Sequence, residues 1–428
     1  MISAPIEERC PTRRPGSSRS LQPKRSRVAV LVVVHVATVA TTMIAQDDPA
    51  AAVKKVADTG WNLRAEFQAL YEDNVFGLSE DSLDRLSEDR ASDEISGRYD
   101  DMNSAYDLIL TTELEWQRKI TDSDDDDFRI EPGLRFLAYT ENPKKSHPEF
   151  FLEMQQEFLS GSTLELDLEY EKDVFARNYL ADATDLVGDV SSSERRYEEG
   201  IYDDWSASAS FEQRLWKSSA DRRAVAGALG IRRVDLDATV GVGRRWYYVP
   251  FSNRDRDRVF ASLELKAEFG KGWSATVGYA FDRVRTDNGR EVLIRDEDEF
   301  DMDFNLDGDR VDQDVRAFES VDRSRNEQEL GVGLTWDFAK HWSAEIGGSV
   351  RVQDYLSDEP VDDTHRDRVD RGRALSLDLE WEFRDHWTAS LVAGVVREDS
   401  NRNSAADADD EEAAYNNFYV GVGATAKF

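Results

Sequence analysis

Five of the oxygen-bearing side chains in one short stretch fall at ligand spacing: Asp303, Asn305, Asp307, Asp309 and, at the twelfth place counted from Asp303, Asp314. Gly308 stands sixth, where a tight turn needs backbone freedom. Carboxylate and amide oxygens converging from a single turn are ligands for a hard divalent cation, so Ca2+ is the cofactor these residues point to. The competing reading is a solvated acidic loop, because a chain with 88 Asp+Glu produces such spacing by chance. Asp124–Asp127 forms a second acidic run, whose default reading is a solvated turn.

Catalytic chemistry finds no comparable constellation. The chain has five histidines, of which His35 precedes residue 45 and His147, His341, His365 and His386 follow it. His341 and His386 occupy equivalent places in a repeated turn. His147 and His365 lie in separate links without a recognisable serine or cysteine partner. The lone cysteine, Cys10, lies near the amino terminus and excludes a disulfide framework. Carboxylates are too numerous for an acid/base pair to be singled out. The expectation is a protein that is not an enzyme.

The elements that must hold these residues are strands. One unit is written twice, as Trp336-Asp337-Phe338-Ala339-Lys340-His341-Trp342-Ser343-Ala344 and as Trp381-Glu382-Phe383-Arg384-Asp385-His386-Trp387-Thr388-Ala389. A looser copy runs from Glu268 through Trp273 to Ala275. Each copy sits between runs that alternate apolar and polar residues, and period two means a strand. Leu330, Val332, Leu334, Trp336 and Phe338 share one parity, for example. The cleanest run sets Leu164, Leu166, Leu168 and Tyr170 against Glu165, Asp167, Glu169 and Glu171. Similar runs recur from Trp61 to the end, about fourteen strands in all (12–16).

The connections sort by parity. Short ones fall near residues 119–126, 160–163, 270–272, 339–341 and 384–386, with a longer outlier at 217–230. Longer, mostly acidic ones fall near 75–102, 177–199, 286–325, 355–372 and 399–412, joined by 141–147 and 249–256. Alternating short and long connections and an even strand count are what a transmembrane barrel requires, with short periplasmic turns and long outer loops. A mean hydropathy of -0.63 does not oppose this, because a barrel strand shows lipid only every second residue.

Net charge is -34, which argues against nucleic acid as a partner. The basic stretch 1–27, the apolar run Val28–Ile44 and the small Ala45 have the order of a secretory signal peptide. The expected organisation is a signal peptide over 1–45, a short periplasmic segment over 46–59 and a barrel over 60–428.

Two resemblances add to this reading. The 303–314 stretch resembles the EF-hand-type calcium loop, with three departures: Arg310 stands eighth, Asp314 replaces glutamate, and no flanking helices are evident. The terminal strand, with Val420, Val422, Ala424, Ala426 and the final Phe428 on one parity, resembles the assembly signal of bacterial outer-membrane barrels. That likeness to the porin-like outer-membrane barrel proteins implies a bacterial outer-membrane location. It also implies insertion by the barrel-assembly machinery, and outer-membrane lipid and lipopolysaccharide as surroundings. A protease or lipase of that membrane is a class analogy with no residues to carry it.

The fold class is therefore all-β, a transmembrane antiparallel up-and-down barrel. Trp273, Trp336, Trp342, Trp381 and Trp387 form an aromatic girdle at the short-turn end. The lumen is lined by Glu113, Glu115, Glu165, Asp167, Glu169, Asp235, Asp237, Glu264, Glu268, Glu329, Asp378, Glu380 and Glu382, with Arg245, Lys266 and Arg351. Arg64, Arg135 and Arg214 share that face. Either these charges pair across strands, or their excess of carboxylates favours cations in a pore for small solutes. Alternative functions are a non-conducting barrel displaying acidic, calcium-stiffened loops, and a polysaccharide secretion channel. For the calcium loop the expected result is a calorimetric Ca2+ binding heat that disappears in an Asp303→Ala/Asp307→Ala variant.

Overall fold

A computed structural model describes residues 60–78, 82–83, 86, 102–122, 126–158, 161–180, 197–217, 230–248, 251, 254–270, 272–286, 290–292, 318–320, 323–357, 365–401 and 414–427. The 303–314 loop and Phe428 lie outside the described residues. In chain order the strands are β1 Asn62–Glu72, β2 Asp107–Asp122, β3 Asp126–Tyr139, β4 His147–Phe158, β5 Ser162–Leu180, β6 Tyr197–Lys217, β7 Ile231–Tyr247 and β8 Arg256–Phe269. They continue as β9 Trp273–Thr286, β10 Arg290–Val292, β11 Phe318–Ser320, β12 Arg325–Ala339, β13 Trp342–Tyr355, β14 Val369–Arg384, β15 Trp387–Ser400 and β16 Tyr415–Lys427.

Fourteen of these strands close into one barrel, each pairing antiparallel with its neighbours. The seam joins the first strand to the last, from Arg64 opposite Lys427 to Glu72 opposite Tyr419. Closure leaves no edge, so the backbone groups within the wall are satisfied between strands, as lipid demands. Among the described residues no helix is long and apolar enough to cross a membrane; the crossing is made by strands.

Exposure is inverted relative to a water-soluble core. Val240, Val332 and Leu375 are 61 %, 60 % and 56 % exposed, whereas Glu113 and Glu115 are 8 % and 7 % exposed. The apolar parity therefore faces outward on successive strands and the charged parity faces the lumen. That inversion decides between the two meanings of an alternating strand, since a sandwich would hide the leucines.

The short connections gather at one end with both termini of the barrel. There the chain enters a rising strand through a left-handed residue, as at Gly272 (φ 75°) and His386 (φ 69°). The residue before each rising strand also lends its carbonyl to the next strand. Asp337, Glu382 and Lys427 donate their N–H groups to Gly272, His341 and His386 at 2.8, 2.9 and 3.0 Å. Register shifts at Asp337/Ala339 and Glu382/Arg384 place a bulge beside each repeated turn, the usual partner of a left-handed turn residue. His341 and His386 are thus built into turns.

Three features at or near the links differ from the sequence expectation. The 286–325 link carries the two-stranded β10–β11 ribbon at its base. The first outer link encloses a small apolar cluster of Leu78, Leu86 and Met102, where an acidic loop was expected. Asp126 and Asp127 belong to β3, and Asp127 pairs with Lys119 and Arg129 at 3.0 Å, because opposite charges across the hairpin compete with water.

The first and second outer links are tied together. Asp107, fully buried, accepts from the N–H groups of Glu141 and Asn142 at 2.9 Å and from Asn142 Nδ2 at 2.8 Å. Lys145 donates to the Val75 carbonyl at 3.1 Å, with its ammonium over the Phe76 ring at 4.5 Å. Burial pushes the Lys145 ammonium down to about 8, against the pull of the Glu72 and Asp107 carboxylates. Because its folded pKa lies below that of free lysine, folding is penalised at neutral pH and gains stability as pH rises from about 8 toward roughly 10.4. In a 13C-methylated lysine NMR titration, one resonance is expected to titrate near pH 8 and to be absent from Lys145→Met.

Candidate functional site: the barrel lumen

Two walls of different chemistry enclose the lumen. From β2 to β8 it is crowded with charge. One row across the strands reads Glu113, Arg135, Glu149, Glu171, Asp204 and Arg245, each opposite the next in register. Arg135 bridges Glu113 and Glu149 at 2.7 Å each, and Arg245 meets Asp204 at 2.7 Å while stacking over Tyr202 at 3.8 Å. Arg64 joins Glu115 at 3.1 Å. On the far side of the lumen, Arg351 reaches Glu327 at 3.6 Å and also pairs with Glu398. In these rows charges pair across strands and fill a polar interior.

Nearer the short-turn end the balance tips to acid. Two inward rows further on, Glu131, Glu153 and Asp167 stand opposite one another. Oxygens of Glu153, Glu165 and Asp167 lie within 4.8 Å of one another, and no ion pair joins these three to a cation among the described residues. Glu131 accepts from Gln117. Beside them a cavity of about 400 Å³ is lined by Glu212, Arg233, Asp235, Asp237, Glu264, Lys266 and Glu268. Arg233 is held by Asp235 at 2.5 Å, by Glu212 at 3.2 Å and by Glu268 at 3.7 Å, so its charge is shared among three of the five carboxylates.

The wall from β9 through β13 is lined instead by small residues on the inward parity, among them Ser274, Thr276, Gly278, Gly331, Gly333 and Gly347. A side chain begun at Gly331 would meet nothing within 4 Å, so open space lies beside that position. Three inward aromatic rings lie against the wall: Phe151 covers Gly133, Phe260 covers Gly241 and Tyr419 covers Gly394, each the direct cross-strand partner. Any Cβ at those glycines would collide with the ring and drive it toward the axis.

Of the residues singled out in the sequence, Asp235, Asp237, Glu264, Lys266 and Glu268 come together in the cavity, and Glu165 joins Asp167. Glu113, Glu115, Arg245 and Arg351 sit in ion pairs. Glu169 accepts from Ser206 at 3.3 Å, Glu345 stands opposite Asp378, and Glu380 is opposite Ser343. Glu329 shares the inward parity of Gly331 on β12, opposite Arg351. Glu382 is drawn to the rim, 3.3 Å from His341 Nδ1. Glu131, Glu153, Glu212 and Arg233 were missed, although each lies on the polar parity of a recognisable strand. His147 and His365 are occupied locally, by the Lys145 carbonyl at 2.7 Å and the Tyr355 ring at 5.1 Å.

The tryptophans form one continuous ladder. Trp273 stacks on Trp336 at 4.9 Å, and the contacts run through Phe338, Trp342, Trp381 and Phe383 to Trp387 at 5.2–6.4 Å. Val420, Val422, Ala424 and Ala426 pair with β1 and β15 on the outward parity of the seam.

A closed wall, apolar outside and charged inside, with an aromatic ladder at the short-turn rim, defines a transmembrane β-barrel with the build of a bacterial outer-membrane porin. No family model matches the chain, and no curated protein does. Among solved structures it is similar to the toluene transporter TodX of P. putida, at 8 % identity and a TM-score of 0.39 over 86 % of this chain and 90 % of that one. It is also similar to the outer membrane channel DcaP of Acinetobacter baumannii (10 %, TM-score 0.38, 86 % and 97 %). A third is a loop-deletion form of OmpT, an outer membrane protein of Vibrio cholerae (9 %, TM-score 0.36, 86 % and 99 %).

Arg135→Gln leaves Glu113 and Glu149 facing each other without their shared cation. The folded barrel is expected to convert to its slow-migrating, heat-denatured gel form at a lower temperature than wild type.

Proposed function

We propose that the barrel is a passive channel for small solutes, with a lumen that favours cations. The supporting observation is the pairing of an acidic wall with a small-residue wall that leaves space beside it. Passage then needs no chemistry, only width and field. Carboxylates of one sign in a confined polar tube concentrate counter-ions and lower their entry barrier. The paired rows contribute little net field, so Glu153, Glu165 and Asp167, with the carboxylates of the β6–β8 cavity, carry the preference. Export by a leader cut after Ala45, insertion by the barrel-assembly machinery and a setting of lipopolysaccharide and phospholipid belong to the same reading. The 303–314 loop as a Ca2+ site is a separate proposal resting on its sequence alone.

Purified protein in planar bilayers is expected to give stepwise, cation-selective conductance. Glu153→Gln/Glu165→Gln/Asp167→Asn should move the reversal potential in a salt gradient toward zero. Silent bilayers containing correctly folded protein would reject the channel.

A further inference from the structure

The outward parity changes chemistry at the long-loop end of three strands. On β9, Val277, Tyr279 and Phe281 lead to Arg283 and Arg285. On β14, Leu377 and Leu375 lead to Arg373 and Arg371, and on β15 Val395 leads to Arg397. All five arginines are exposed. Between β1 and β7 the corresponding outward positions are aromatic instead, with Tyr71 near Tyr106, and Phe150, Tyr170 and Trp246 in sequence, at centroid separations of 6.4 Å.

In a chain of net charge -34, arginine has carboxylates to choose from. Yet among the described residues Arg371 and Arg373 enter no ion pair. Arg373 stands directly opposite Arg397 in register, and Arg371 opposite Asp399. Asp399 is engaged by Arg397, whose Nη2 is 2.9 Å from Oδ1. Three guanidiniums therefore share one carboxylate. Like charges directly opposite on a sheet face are destabilising, and Asp399, held by Arg397, offsets only one member of this pair.

We propose that Arg371, Arg373 and Arg397 form a binding patch for the phosphorylated headgroup of an outer-leaflet lipid. The guanidinium fork matches phosphate oxygens two at a time, and a dianion placed between Arg373 and Arg397 turns their repulsion into a bridge. The patch begins where the outward apolar residues end, which is headgroup level for a spanning strand. Leu375 and Val395 pair in register one outward step below Arg373 and Arg397, so apolar surface is at hand for the arginine methylenes while the charges reach the headgroup. This inference rests on the barrel spanning a membrane and is independent of conduction.

The test uses the full-length barrel in phosphatidylcholine nanodiscs, titrated with bis-phosphorylated lipid A, with lipid A stripped of its phosphates, and with inorganic phosphate, and read by native mass spectrometry. The phosphorylated form is expected to bind about tenfold more tightly than the stripped form. Arg371→Gln/Arg373→Gln/Arg397→Gln should erase that preference without changing conductance, while the corresponding lysine variant keeps part of it. Equal binding of the two lipids by wild type would overturn the proposal. So would an undiminished preference in the glutamine variant, or full competition by inorganic phosphate, which would mark a simple anion site. Should the triple variant not fold, Arg373→Gln takes its place and must itself lower the preference.

Discussion

Everything in this barrel depends on the absence of water around its outer surface. In hydrocarbon an unpaired backbone N–H or C=O has no alternative partner, so the sheet must close, and closure fixes the rest. The strand number is even because both ends of the wall meet at one rim. Between the two rims charges are confined to the lumen, because there the outward parity has been given to lipid. Glu72 stands opposite Tyr419 and Arg64 opposite Lys427 across the seam, so the two ends of the described chain secure each other. Lipid contributes what a buried core contributes elsewhere, and the exposed leucines and valines are the evidence for it.

The lumen meets a second constraint. A tube of this size cannot leave its charges unpaired everywhere, and the Glu113–Arg135–Glu149 bridge shows how the crowded wall meets that cost. Where pairing runs out, at Glu153, Glu165 and Asp167, the surplus is all of one sign. The facing wall is small-residued, so the surplus borders space instead of protein. A non-conducting barrel would gain from filling that space with the same ion-pair rows found above it. Rings laid flat on Gly133, Gly241 and Gly394 work in the same direction, because they keep aromatic bulk off the axis.

Much of this was legible before any coordinates. Alternation in runs such as Leu164–Tyr170 gives the strands, the parity of link lengths gives the orientation, and the repeated Trp units give one rim. Those signals are local and periodic, so they survive translation into a barrel. Pairing is not local. Whether Glu113 meets Arg135 depends on register between separate strands, which a single sequence does not disclose. The same limit hid the grouping of Glu153 with Glu165 and Asp167, since Glu153 lies in a strand whose polar residues looked ordinary. In the first outer link the Leu78, Leu86 and Met102 cluster lacked periodicity, and acidic composition around it masked three scattered apolar residues.

On two strands a ladder tryptophan and an outer arginine share one face at the same interval: Trp273 to Arg283, and Trp387 to Arg397, are each ten residues apart. At about 3.3 Å per residue and a tilt of roughly 40°, that interval projects to about 25 Å along the membrane normal. These strands therefore act as a gauge. In a thicker bilayer the arginine end or the indole end would be drawn into hydrocarbon, and neither tolerates it well. The outer membrane is thinner than most, and an interval of this length matches it with less mismatch than a thicker bilayer would impose.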